Sequence, residues 1–392
     1  MYLVDGRRYA TGGSELQHAL AAAYVRRLRP VCLCADPHAP FYIARLGAIF
    51  MLKRMPFTGG QHAIACPHYE ASEELSGMGQ ILGTAISESP DTGMTQLRVD
   101  FSLSKGATHA VPQAESGDRG VASGTGAALT LRGLAHYLWR EAELTRWRPG
   151  FDGKRTWGVV RSHLLTASSN KNVKGSPLTD VLYVPEAFTV AGADAIRARR
   201  KVRFDMGLRR STSGPARKMI LVGELKEVLP ARIHFSAIIK HAPDMPFFMS
   251  SDLHRRTMRQ FDCELSLWAG NPECHLLVVA TFGLTDWGQP AIDEICLVLA
   301  SAQWIPLVDG FDKLLIDRLV RDRRAFDKSL GFNSRLPPGA ISAVLLDATS
   351  APVPLAIDRD DIDDQNARSD VGLTGASWRW QVHCTDMPAL PA

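Results

Sequence analysis

The sequence predicts an α+β fold, and three observations predict it. Two short apolar runs, Phe41–Arg45 and Ile49–Lys53, flank a turn at Gly47 and read as a hairpin. Apolar residues recur at helical spacing over Leu131–Leu144 and over Trp157–Ala167. From about Met219 the pattern becomes β-rich, with Ile233, Phe235, Ala237 and Ile239 in strict alternation.

The elements follow in order. Ser14 opens a helix, with Gln17 placed as its capping-box partner, and Leu16, Leu20, Tyr24 and Leu28 share one face before Pro30 stops it. The hairpin comes next. Residues 106–128 are rich in Gly, Ala, Ser and Thr without periodicity and read as a linker. The helix over Leu131–Leu144 ends at Pro149-Gly150, and Trp157–Ala167 forms its partner, so Trp139, Trp147 and Trp157 become packing anchors. Met219–Val228, Ile233–Ile239, His275–Phe282 and Ile295–Leu299 read as strands. Asp309 caps an amphipathic helix over Phe311–Arg324, and Ile341–Leu346 and Pro354–Ile357 are late strands before the acidic run Asp358–Asp364.

A chain of 392 residues can carry two or three cores. With 45% hydrophobic and 22% charged residues it has an ordinary globular composition, and no apolar run approaches the ~20 residues of a membrane span. Membrane insertion and a secretory leader are therefore not expected. Seven cysteines, an odd number in a chain this long, point to a reducing cytoplasm and to metal or redox chemistry rather than disulfides.

Cys32 and Cys34 stand one residue apart, and Cys66 follows within His62-Ala63-Ile64-Ala65-Cys66-Pro67-His68. Thiolate and neutral imidazole are the ligands of tetrahedral zinc. The hairpin between the two halves brings them together, so the reading is a structural zinc site of Cys32, Cys34 and Cys66 completed by His62 or His68, with His38 a weaker alternative. Buried inert thiols and thiol redox chemistry are the competing readings. The order CxC…CxH resembles the SWIM type of zinc finger, with a longer gap. The fold expectation becomes an N-terminal zinc-stapled hairpin module (1–105), the linker (106–128), a basic helical middle (129–218), a C-terminal mixed αβ domain (219–357) and an acidic tail (358–392).

The stretches Arg29-Pro30-Val31-Cys32-Leu33-Cys34, Leu52-Lys53-Arg54-Met55-Pro56-Phe57-Thr58-Gly59, His62…Cys66-Pro67, Leu134-Ala135-His136-Tyr137-Leu138-Trp139 and Val184-Pro185-Glu186-Ala187-Phe188 carry a resemblance over most of the chain. The sequence resembles an uncharacterised bacterial family with three N-terminal cysteines, found on plasmids and integrating conjugative elements. The resemblance implies a mobile-element context and other mobile-element proteins as partners, and no reaction.

Segment 129–218 holds eighteen basic and seven acidic residues, between more acidic flanks. Arg197, Arg199, Arg200, Lys201, Arg203, Arg209 and Arg210 form its densest run, the kind of footprint that neutralises DNA or RNA phosphates. A solvated surface is the alternative. Arg132, Arg140, Arg146, Arg148, Lys154, Arg155 and Arg161 decorate the helical pair before it. The late helix–strand–strand order ending in Asp347 is similar to that of PD-(D/E)xK nucleases, but the next strand lacks their paired acid and lysine, so a nuclease-like unit here would be inactive. The sequence has no phosphate loop, no His-Glu-x-x-His helix and no Gly-x-Ser-x-Gly elbow. The leading expectation is a non-enzymatic, nucleic-acid-associated accessory protein with structural zinc. A nucleic-acid-processing enzyme and a protein–protein adaptor are the alternatives.

Overall fold

The computed structural model describes residues 1–392 apart from 11–13, 47–48, 56–57, 64–65, 71–80, 82, 90, 106–127, 209–215, 232–233, 334–339, 350, 360–377 and 383–385. Helices and several sheets are mixed along the chain, an α+β architecture. All but the last residue of the linker expected at 106–128, and most of the acidic tail expected at 358–392, lie outside the described residues.

The N-terminal sheet has five strands in the order Arg7–Tyr9, Tyr2–Val4, Val31–Cys32, Ala39–Leu46 and Ile49–Arg54, every pair antiparallel. The hairpin forms in the register Phe41↔Arg54 to Leu46↔Ile49. Helix Ser14–Val25 packs Leu16, Leu20 and Ala23 onto this sheet against Tyr2, Val4, Phe41 and Ile43. Gln17 does something other than cap. Its amide donates to the Phe50 carbonyl (2.8 Å) and its oxygen accepts from the Phe50 N–H (3.0 Å). Phe50 lies on a strand that is an edge among the described residues, so its outward backbone groups are stronger claimants than the helix end. The same small core also takes in Ile341, Val344 and Leu346, so the N-terminal sheet is seated on a strand from the far end of the chain.

The second core runs from Ile81 to Trp380. At its centre are five strands: Met219–Pro230, Phe235–Ile239, Ala242–Met249, His275–Leu284 and Pro290–Ala300. The first pairs with the second and the second with the third, all antiparallel. The third meets the fifth in parallel at Phe248↔Ala291, the fifth pairs with the fourth, and the fourth returns to the first through Met219↔Phe282 to Glu224↔Leu277. The ring order 1-2-3-5-4-1 closes a barrel and removes its edges. Helices Ser251–Gln260 and Asp262–Gly270 lie between the third and fourth strands, and Ser250 caps the first of them through the Leu253 N–H (3.1 Å). This is the connectivity of an OB barrel, with a long bulged first strand and a helical insertion after the third. Phe247 and Phe282 meet edge-to-face inside it at 5.2 Å.

Helix Leu131–Glu141 is buried along almost its whole length, and Trp139 donates to the Trp304 carbonyl (2.9 Å). Trp157, the first residue of helix Trp157–Ser168, donates to the Pro185 carbonyl (2.8 Å). The tryptophans are packing anchors whose N–H groups are satisfied, as expected. A further sheet, Trp378–Gln381, Val353–Asp358, Ile341–Leu345, Phe326–Lys328 and Arg146–Trp147 in that order, joins the middle of the chain to its end. Beneath it Lys328 and Asp312 form an ion pair with no exposure at either side chain (3.2 Å).

Candidate functional site

Cys32 sits mid-sheet, paired with Tyr2 on one side and Ala39 on the other. Cys34 lies in the bend that follows. The hairpin returns the chain to a short 3-10 turn, Gly59–Gln61, which delivers His62. Cys66 closes its own turn with its N–H on the Ala63 carbonyl (2.8 Å). The Gly59 carbonyl accepts from the N–H groups of both His62 (3.3 Å) and Glu70 (3.1 Å), so the two ends of the loop touch. A Cβ at Gly59 would stand 2.4 Å from the Glu70 Cβ, a contact only glycine avoids.

These turns bring Cys32, Cys34, His62 and Cys66 together, with one ligand atom from each lying within 4.8 Å of all the others. Sγ of Cys32 and Sγ of Cys66 are 3.8 Å apart, too far for a disulfide bond of about 2.05 Å. Nδ1 of His62 lies 3.3 Å from Cys34 Sγ and 3.8 Å from Cys66 Sγ. His62 is 3% exposed, and its Nε2 has no hydrogen-bond partner among the described residues. Burial pushes the Cys32 thiol up to about 12 and raises Cys66 as well. Burial acts on Cys34 in the same sense, but the Ala63 N–H at 3.4 Å and the neighbouring thiols hold it below its ordinary value. Burial, then the charge of Arg54, takes His62 down to about 4, so the imidazole is neutral at pH 7, the form that ligates a metal. Three thiols and a neutral imidazole crowded into one dry spot have poor hydrogen bonds to offer one another and are well suited to a cation.

His68 does not join the group. Its Nε2 is 2.6 Å from the Tyr2 hydroxyl, and its ring packs on Phe41 at 4.8 Å. The turn after Cys66 points it along the sheet instead of into the cluster. His38 is exposed and bonds the Ala35 carbonyl of its own loop (2.8 Å).

Three arginines clamp the ligand loop to the rest of the molecule. Glu70 is held by both Arg54 and Arg140. Arg140 also reaches Asp327 (3.2 Å), and Arg146 donates to the carbonyls of Pro67 (2.8 Å) and Tyr69. Part of the positive charge read as a basic face is thus internal, engaged with acids and carbonyls far away in sequence.

The denser basic run lies on helix Ala193–Gly207. Arg197 pairs with Asp194 (2.9 Å) and Asp244 (2.8 Å), Arg200 with Asp244 (3.1 Å), Arg199 with Glu186 (2.8 Å) and Lys201 with Asp205 (2.7 Å). Arg203 donates to the carbonyls of Leu182 (2.9 Å) and Thr179. Each of these five therefore has an intramolecular acceptor, while Arg209 and Arg210 lie outside the described residues. Asp347, the residue behind the nuclease comparison, accepts from Arg324 (3.1 Å) and from the Ala325 N–H (2.7 Å), and so fastens a turn.

One exposed side chain escaped the sequence reading. The turn between the fourth and fifth barrel strands is closed by the Thr285 N–H on the Gln289 carbonyl (2.8 Å), with Gly288 at φ +75°, and Trp287 at its tip is 89% exposed. The Asp-Trp-Gly sequence at the turn was the available signal, because a tryptophan at a hairpin tip has no core to enter. No helix among the described residues is long and apolar enough to cross a membrane.

The model of a family described as "Protein of unknown function (DUF1173)" matches residues 2–383. No curated protein and no solved structure matches the chain.

Proposed function

The chain belongs to this family of unknown function, and from its residues we propose a non-enzymatic protein that binds single-stranded nucleic acid on its barrel and holds its N-terminal sheet with structural zinc. The donor set supports zinc. Around a tetrahedral ion with bonds of about 2.3 Å to sulfur and about 2.0 Å to nitrogen, two sulfurs stand about 3.8 Å apart and a sulfur and a nitrogen about 3.5 Å apart. The contacts of 3.8 Å between Cys32 and Cys66, and of 3.3 and 3.8 Å from His62 to Cys34 and Cys66, match that cage. Four protein ligands leave no open position for water or substrate, which favours a structural role over a catalytic one.

The expected metal content is about one zinc per chain, measured by elemental mass spectrometry on protein without a histidine tag. A Cys32→Ser/Cys34→Ser variant should carry none. Metal-free wild-type protein prepared under reducing conditions would end the zinc reading.

Trp287 carries the nucleic-acid reading. OB barrels bind oligonucleotides and oligosaccharides beside the loop between their fourth and fifth strands, and an exposed aromatic there stacks on bases. Exposed Leu229 and Leu284 belong to the same barrel. The fold alone does not assign the ligand; the bare indole does more. Trp287→Ala should weaken binding of a labelled single-stranded oligonucleotide about 10- to 100-fold, the size of one lost stacking contact, without changing the circular dichroism. Unchanged affinity in this variant would take the barrel out of the reading. A reducing cytoplasm, a mobile-element setting and other mobile-element proteins as partners complete the proposal, on the strength of the cysteine usage and the family resemblance.

A further inference from the structure

A cleft of about 210 Å³ opens between helix Trp157–Ser168, the segment Leu182–Glu186 and helix Ala193–Gly207. Its floor is apolar, with Leu165, Leu182 and Ile196, and four arginines line it against a single carboxylate, Glu186. Asp244 neutralises Arg200 from outside the lining. Arg161, Arg199 and Arg203 then face one lining acid, Glu186, while Asp180 acts on Arg203 from outside the lining, so the cleft keeps a net positive charge.

The guanidinium groups are also fixed. Arg161 donates its Nε to the Val184 carbonyl (3.1 Å). Arg203 gives one Nη to the carbonyls of Leu182 (2.9 Å) and Thr179. A guanidinium has five N–H donors, so each is anchored by a minority of its hydrogens. Among the described residues the Nη groups of Arg161 have no protein acceptor. Prepositioned guanidinium donors over an apolar floor are a receptor for a tetrahedral oxyanion.

We propose that this cleft binds a phosphate-class oxyanion, with Arg161 and Arg199 as its principal donors. Arg199 now holds Glu186 through both Nε (2.9 Å) and Nη2 (2.8 Å), and the ligand takes the place of that carboxylate. Glu186 is thus an internal competitor whose removal favours the ligand. The size suits one phosphate or pyrophosphate group, well below the 300–1,000 Å³ or so of a drug-sized pocket. Such a group could come from a free phosphorylated molecule or from the 5′ end of a strand. The site shares Arg199, Arg200 and Arg203 with the predicted basic run, and it rests on the nucleic-acid reading only in the second case.

The test is calorimetric titration of the full chain with inorganic pyrophosphate at constant ionic strength. Wild type should bind, Arg161→Gln should bind about tenfold more weakly, and Glu186→Gln should bind more tightly. The gain in Glu186→Gln guards against a variant that merely folds poorly. Absence of binding up to millimolar pyrophosphate, equal affinity of Arg161→Gln and wild type, or no gain in Glu186→Gln would each overturn the proposal. Oligonucleotides with a 5′-phosphate and with a 5′-hydroxyl then separate the sources. A preference for the phosphorylated strand that Arg161→Gln abolishes assigns the site to strand ends. Pyrophosphate binding without that preference assigns it to a free ligand. Binding of the 5′-hydroxyl strand, and its loss in Trp287→Ala, reports on the barrel alone, so the two readings fail separately.

Discussion

Replacing Cys66 with serine is expected to open the N-terminal sheet while the barrel stays folded. Cys66 is 7% exposed, Cys32 is 2% exposed, and both belong to a small core of fourteen buried residues among those described. Losing one thiolate breaks a four-ligand site and leaves Cys32 and His62 buried, and Cys34 half-buried, around a gap. Zinc contributes about 10–16 kcal/mol to small zinc-dependent folds, which bounds the effect from above. The sheet here also rests on Ile341, Val344 and Leu346 and is tied down through Glu70, so a smaller loss, on the order of 5 kcal/mol, is expected. Native-state hydrogen exchange reads it directly. Amides of Tyr2–Val4 and Ala39–Leu46 should lose protection in Cys66→Ser or after chelation, and those of Met219–Pro230 and His275–Leu284 should keep it. Equal protection of the N-terminal strands in variant and wild type would show that hydrophobic contact alone holds them and that the cysteines are ordinary core residues.

Lys328→Met should be nearly as damaging, for an electrostatic reason. The Lys328 ammonium is surrounded by Asp312 (3.2 Å) and the carbonyls of Ser329 and Ser342 (both 2.9 Å). Asp312 in turn accepts from the Val308 N–H (2.9 Å) and the Ser342 hydroxyl. Every group in this network has partners, which is what makes a buried ion pair tolerable. Methionine fills the space and removes the charge, leaving the Asp312 carboxylate without its cation in a dry interior. The expected cost is about 3–5 kcal/mol in urea unfolding at pH 7. A loss within about 1 kcal/mol of wild type would instead show that the Val308 N–H and the Ser342 hydroxyl satisfy the carboxylate without the ammonium.

The sequence revealed those parts of the molecule that are local. The hairpin follows from apolar runs around a glycine, and the cysteine cluster from ligand types held close by that hairpin. His62 could not be separated from His68, because the choice depends on the loop that folds Gly59 against Glu70 and on Tyr2, which reaches the His68 ring from another strand. The arginines show the larger gap. Composition alone cannot say whether a guanidinium faces solvent or a distant carbonyl, and Arg140, Arg146 and Arg203 face carbonyls or acids supplied by remote segments. The barrel was hidden for a related reason. Its closure needs Met219–Pro230 to pair with His275–Leu284, and strands buried on both faces carry no alternation to announce the pairing.

The isolation of Trp287 gives the protein a natural optical label. Of the eight tryptophans, Trp139, Trp147, Trp157, Trp304, Trp378 and Trp380 are at most 8% exposed and Trp268 is half-buried, whereas Trp287 stands 89% in water. Indole emission shifts to longer wavelength as its surroundings become wetter and more mobile, so the red edge of the intrinsic spectrum belongs to the barrel tip and the blue side to the interior. A neutral collisional quencher such as acrylamide should therefore silence the red edge first. Any molecule that settles on the tip shields that one chromophore and announces itself without an attached dye.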